Sequence, residues 1–167
     1  IKKWQDIEPF LKLIKENEPD LYAFENPMTW GSLAPTMGIE EIGVPGLCVR
    51  INDASLKVIS SIKTPEFMDS IQASRRWYTS GYVRKDIATV KDTTPDLKAG
   101  KIASGIDMIK PGGDSERKSR YGYDTVSIGI GNPILKQDGI VATMNAISIT
   151  SKNPERSMMF LELLNSD

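Results

Sequence analysis

Residues 96 to 114 read DLKAGKIASGIDMIKPGGD, and the reading of this stretch decides the fold. TPDLKAGK (94–101) predicts one short helical turn closed by Gly100, because glycine adopts the left-handed backbone that ends helices. IASGI (102–106) predicts a strand, and its small residues Ala103, Ser104 and Gly105 permit close packing within a sheet. The strand runs directly into Lys110-Pro111-Gly112-Gly113. That loop then stands at a strand end, which is where open α/β sheets receive ligands. Its proline and glycines suit either close approach to a ligand or a plain turn.

Outward from this stretch, helices and strands alternate irregularly. Asp6 predicts the N-cap of a first helix, with Pro9 in its first turn and Ile7, Phe10, Leu11 and Ile14 as its apolar stripe. Pro19 ends it. LYAF (21–24) reads as a short strand that feeds the loop ENPMTWGS (25–32). Residues 33–46 hold two prolines and three glycines and predict loop. GLCVRIND (46–53) and SLKVISSI (55–62) predict two strands joined by a tight Asn-Asp turn. Thr64 and Pro65 open a helix that passes Phe67, Met68, Ile71 and Tyr78 and closes at Gly81, and a weaker helical stretch follows Asp86. SERKSRYG (115–122) reads as polar loop or short helix, and DTVSIGIG (124–131) and VATMNAISI (141–149) as strands. Asn153-Pro154-Glu155 begins a last helix carrying Met158, Phe160, Leu161 and Leu164. The fold class is α/β, layered rather than a strict βαβ repeat.

The 167 residues suffice for one domain with a normal core. With 21 basic and 22 acidic residues, electrostatics gives no case for nucleic acid or an anionic membrane as the main partner. One cysteine, Cys48, excludes an internal disulfide. Histidine is absent, which removes Ser-His and Cys-His nucleophile pairs and the common zinc sites, so neither metal nor cofactor is expected. No apolar run reaches membrane-spanning length and no signal peptide opens the chain. It starts without methionine in a helical pattern and stops just after another, and so reads as a piece of a longer protein.

Several stretches carry candidate chemistry. IGIGNP (128–133) lacks the third glycine and following helix of a dinucleotide site, and KPGGD lacks the Gly-Lys-Ser/Thr ending of a phosphate loop. Asp107 and Asp114 flank the KPGG loop, as a glycosidase carboxylate pair would, or as hydroxyl acceptors for a polar ligand. Trp30 sits beside Asn26, Thr29 and Ser32, a flat apolar face among amide and hydroxyl groups that suits a sugar ring. The other reading of Trp30 is a plug holding its loop to the core. Trp77, Tyr78 and Tyr82 around a glycine cap read mainly as packing, Trp4 as a staple onto the first helix, and Glu116 to Arg120 as solvated surface.

Three segments together resemble one family. LKAGKIASGIDMI (97–109) and MNAISITSKNPERSMMFLELLNSD (144–167) resemble stretches of the extracellular solute-binding proteins that feed carbohydrate ABC importers. RRWYTSGYVRKD (75–86) looks like the corresponding part of the LplA-like lipoproteins of Gram-positive bacteria. The resemblance implies the type 2 periplasmic-binding fold, with two α/β lobes, each a mixed sheet flanked by helices, closing on a ligand. It implies that residues 1–138 are mainly the second lobe and that 139–167 return toward the first. It further implies a sugar ligand, a permease partner in the membrane, the remaining lobe of a parent protein, and a surface-anchored extracellular lipoprotein without catalytic activity.

By position, the ENPMTWGS segment contributes Glu25, Asn26 and Trp30 to the sugar cleft, and the Ile106–Lys110 segment contributes Asp107, Met108 and Lys110. Asn145 on the returning strand is a further candidate. Maltose-type binders put a tryptophan in the second of these segments; none stands here, which favours polar contacts. Two other readings remain at this point. A peptide, amino acid or other polar solute would place its carboxylate on Lys110 with Arg75 or Arg76, and a glycosidase would use Asp107 and Asp114. A structural interaction domain comes third.

Overall fold

The computed structural model describes residues 1–25, 34–43, 46–107, 110–131 and 145–166. They fall into two units, Ile1–Pro133 and Ile134–Asp167. In the first, a 3-10 turn Trp4–Ile7 leads into α1, Glu8–Asn17. Asp6 lies inside that turn rather than at an N-cap. Its Oδ2 accepts the backbone N–H groups of Lys2 and Lys3 at 2.9 Å each, satisfying amides that have no intrahelical acceptor. Of the predicted stripe, Leu11 is fully buried and Ile7 and Ile14 pack against the core, whereas Phe10 is exposed.

The core of this unit joins Trp4, Leu11, Ala23, Phe24, Ala73, Trp77, Tyr82 and Val83. Trp77 comes from α2, Pro65–Thr79. This helix starts as predicted: Thr64 accepts the Phe67 N–H at 3.3 Å, and Pro65 fills the first position, where no N–H is needed. Gly81 at φ +72° lets the chain fold back, with its N–H on Tyr78 O at 3.1 Å and the Tyr82 N–H on Trp77 O at 3.0 Å. This is the Schellman arrangement. It carries Tyr82 and Val83 straight into the core and packs the ring of Phe24 edge-on against Trp77, centroids 5.0 Å apart.

A small antiparallel sheet packs on a second cluster, Ala34, Ile39 and Cys48 with Ile59. Its strands are β1 (Ile39–Glu41), β2 (Leu47–Arg50) and β3 (Ile59–Ser60), paired Ile39 with Arg50 and Leu47 with Ser60. Two expectations are corrected here. β1 lies within the predicted 33–46 loop, and the link between β2 and β3 is no tight hairpin. Asp53 Oδ1 accepts the Ser55 N–H at 2.9 Å, and the Leu56 N–H bonds to Asp53 O at 3.0 Å. These local turns take up the chain, so pairing resumes only at Ile59.

LYAF and IASGI, each predicted separately as a strand, meet in parallel through a single bridge between Tyr22 and Ile102. The Tyr22 N–H bonds to Lys101 O at 2.8 Å and the Ala103 N–H to Tyr22 O at 2.9 Å. Between them in sequence, residues after Asp86 form turns rather than a helix, followed by α3, Thr94–Lys98, ended by Gly100 at φ +66°. SERKSRY (115–121) is helical, within α4, Gly113–Tyr121, and Gly122 caps its end. Residues 124–131 form no strand among the described residues. Their alternation is that of a strand, with Thr125 and Ser127 half-buried and Val126 and Ile128 exposed. In place of the expected mixed sheet, the described residues hold an antiparallel sheet and a separate parallel bridge.

In the second unit, residues 145–148 form no strand, and 141–144 lie outside the described residues. α5, Pro154–Asn165, opens at Asn153 as predicted, with the Ser157 N–H and hydroxyl both on Asn153 O at 3.1 Å. Met158, Phe160 and Leu164 on this helix are exposed.

Candidate functional site

The parallel bridge brings two predicted segments out at the same end. The Glu25 N–H bonds to Ser104 O at 2.9 Å, and the Ser104 hydroxyl donates to Ala23 O at 2.6 Å. Glu25 and Ile106-Asp107 therefore leave the paired segments together at their carboxyl ends. A Cβ on Gly105 would sit 2.7 Å from Glu25 Oε2, so any larger residue there would make the end of the Glu25 side chain shift. On the other oxygen, Oε1 accepts a short hydrogen bond from the Thr93 hydroxyl.

Glu25 lines a cavity of 220 Å³. Its apolar lining is Ile87, Val90 and Ile106; its polar lining is Glu25, Lys91, Asp92 and Thr93. Asp92 accepts the Thr94 N–H at 2.9 Å, and the Thr94 hydroxyl and backbone amide together hold its carboxyl below the usual range. Alongside, Tyr121 and Tyr123 stack with centroids 6.2 Å apart, and the Tyr123 hydroxyl donates to Leu97 O at 2.7 Å. Burial, then the neighbouring Tyr121 and Glu25, push the Tyr123 phenol up.

Lys110-Pro111-Gly112-Gly113 is a tight turn. The Gly113 N–H bonds to Lys110 O at 3.1 Å, and Gly112 sits at φ 73°, ψ 0°, the third position of a type II turn after proline. The turn launches α4, so its proline and glycines have a structural use. Arg117 on that helix, 16% exposed, is the hub beside it. It donates to Asp107 at 3.2 Å, to Asp114 at 2.6 Å, to Thr125 at 3.2 Å and to the Ser127 hydroxyl. The Arg117 guanidinium, then the Ser127 hydroxyl, hold the Asp114 carboxyl below its ordinary range. A glycosidase acid needs the opposite shift, so Asp114 is unsuited to that role. Lys110 pairs with Glu116, and Arg76 holds Glu8 through two nitrogens. Two of the three cations invoked for a carboxylate ligand, Lys110 and Arg76, thus already face acidic partners.

Among the predicted site residues, Glu25 and Asp107 come together at one end, with Lys110 in the adjoining turn. Asn26, Trp30 and Met108 lie outside the described residues. Asn145 is exposed in the second unit. Trp77 and Tyr82 are buried in the core, and the Tyr78 hydroxyl donates to Lys85 O at 2.8 Å. Sequence reasoning passed over Lys91, Asp92 and Thr93, whose KDTTP run shows only a helix start, and treated Arg117 as solvated surface. Among the described residues, no group of three or more His, Cys, Asp or Glu is placed to hold a metal ion.

No protein-family model matches the chain. Over 171 residues it is 28% identical to a carbohydrate ABC transporter substrate-binding protein of Streptococcus pneumoniae, covering all of this chain and 34% of that protein. The chain is a distant homologue of that transporter component. A crystal structure of the N-glycan transport solute binding protein (NgtS) from Streptococcus pneumoniae matches all of this chain and 37% of its own, with 25% identity and a TM-score of 0.76. Structures of NgtS in complex with Man1GlcNAc and with Man5GlcNAc match over the same shares at 26% identity, with TM-scores of 0.71 and 0.68. The chain spans about a third of the length of the relatives it matches. Its fold matches part of a solute-binding protein, as the resemblance implied. No helix among the described residues is long and apolar enough to cross a membrane.

Proposed function

We propose that the protein carrying this chain binds an extracellular carbohydrate, a mono- or oligosaccharide, and delivers it to the membrane permease of an ABC importer. Residues 1–138 act as the second lobe and 139–167 return toward the first. Binding alone is the task, and no bond is broken in this chain. Glu25, Asp107 and Lys110 meet the sugar, with Asn26, Trp30 and Met108 on the same two segments and Asn145 on the returning one. The parent protein is a lipoprotein at the cell surface. Closure of the lobes around sugar shifts the open–closed equilibrium, and the permease reads the closed form.

The observation that carries this reading is the match along the whole chain to a glycan-transport solute-binding protein. The emergence of Glu25 and Asp107 at the carboxyl ends of a parallel pair supports it, since ligands bind at such ends. The test is a thermal-shift screen of the protein carrying this chain against mono- and oligosaccharides, with amino acids and short peptides as controls. A ligand at a hundredfold excess over its Kd adds about 2.7 kcal/mol of stability. A shift with sugar alone supports the reading; a shift only with peptides or amino acids overturns the substrate and keeps the fold.

A further inference from the structure

We infer that the Glu25 cavity is a subsite for one neutral sugar residue that presents two adjacent hydroxyls, and that it turns away acidic sugars. The inference rests on the carbohydrate reading above and names the ligand class at that site.

The Glu25 carboxylate is held in place before any ligand arrives. Its backbone N–H is tied to Ser104 O, Oε1 takes the Thr93 hydroxyl, and Oε2 lies against the bare Gly105 backbone. Yet it has no cationic partner among the described residues. A half-buried carboxylate without a counter-charge needs hydrogen-bond donors, and it accepts only. Hydroxyls on neighbouring ring carbons supply two donors at a spacing that matches two carboxylate oxygens. Because the acceptor is already oriented, little ordering is left to oppose binding. Ile87, Val90 and Ile106 offer apolar surface for ring C–H groups. At 220 Å³ the cavity is smaller than the roughly 300–1,000 Å³ of drug-sized sites, which fits a single ring.

Charge sets the second half of the inference. The polar lining holds Glu25 and Asp92 against Lys91, a net negative site. A sugar carboxylate entering there meets like charge at short range, and such repulsion is a strong discriminator.

Isothermal titration of the protein carrying this chain tests the subsite with three probes: a mannose-terminated, an N-acetylglucosamine-terminated and a glucuronate-terminated disaccharide. The expected result is at least tenfold tighter binding of a neutral disaccharide than of the glucuronate one. Glu25→Gln should weaken the neutral sugar about tenfold and narrow that gap, with the melting temperature nearly unchanged. Thr93→Val, which removes only the hydroxyl that pins the carboxylate, should act in the same direction and serves if Glu25→Gln fails to fold. Neutral binding unaffected by the variants that fold overturns the subsite while leaving the carbohydrate reading standing. Equal affinity for glucuronate overturns the selectivity. No binding of any sugar overturns both readings.

Discussion

Trp4 packs its ring edge-on against Trp77, with centroids 4.6 Å apart and ring planes at 77°. Both side chains are fully buried, so a residue ahead of α1 and one near the end of α2 share the centre of the core. Trp77→Ala should destabilise the first unit by about 3–5 kcal/mol, the usual loss for emptying a large aromatic site. Chemical denaturation of the variant checks it; a loss under about 1 kcal/mol would remove this pair from the centre of the fold.

The start of α2 offers a smaller, sharper test. Thr64 accepts the Phe67 N–H and its own hydroxyl donates to Ser61 O at 2.6 Å. Thr64→Ala should lower stability by about 1 kcal/mol, whereas Thr64→Ser, which keeps the acceptor, should lose only a fraction of that.

Acid should weaken the tie between α1 and α2. The Arg76 guanidinium, hydrogen-bonded to Glu8, holds its carboxyl below its ordinary 4.5. A carboxylate with a depressed folded pKa adds stability that is complete above its unfolded value and disappears as pH falls through the folded one. The stability gap between the wild type and Arg76→Gln should therefore be widest near neutral pH and close below roughly pH 4. Urea melts of both proteins across that range measure the gap; a constant difference would show that the pair does not couple to folding.

Much of the fold was legible because it is written locally. Thr64-Pro65, Gly81, Gly100 and Asn153-Pro154 act through their own backbone and their nearest amides, and each starts or ends a helix where expected. LYAF and IASGI were legible as extended segments from their flanks, but their parallel pairing was not, since it joins residues 80 positions apart. β1 was not, because Gly38, Gly43 and the prolines dominate its surroundings, and only pairing with β2 makes Ile39–Glu41 a strand. The site shows the same division. Glu25 and Asp107 follow from strand ends, but Thr93 reaches Glu25 across a gap of 68 residues that no local pattern reveals. Arg117 looked like solvated surface because its helix is polar all round; its acceptors Thr125 and Ser127 lie on the next segment.

Gly112 separates strain from crowding. A Cβ there would meet nothing within 4 Å, yet its φ of +73° is unfavourable for any other residue. Gly112→Ala should cost about 1–2 kcal/mol from the backbone alone. Gly105→Ala should do the reverse. Its added carbon displaces the Glu25 carboxylate, so sugar affinity should fall more than the melting temperature does. Titration and melting of the two variants side by side separate the effects; equal loss of affinity in both would argue against a special place for Gly105.

The turn and helix around Arg117 have one more consequence, for how a solute arrives. Between Asp107 and Asp124 the chain carries four acidic and four basic residues, and ion pairs within this stretch join Arg117, Lys110, Lys118 and Arg120 to Asp107, Asp114, Glu116 and Asp124. Such a surface projects almost no field beyond a few ångströms, because each charge is cancelled by its neighbour. An uncharged glycan is neither drawn in nor slowed by it. On the proposed carbohydrate reading, this stretch should then add no salt dependence to the capture rate, with selection left to the contacts made after encounter.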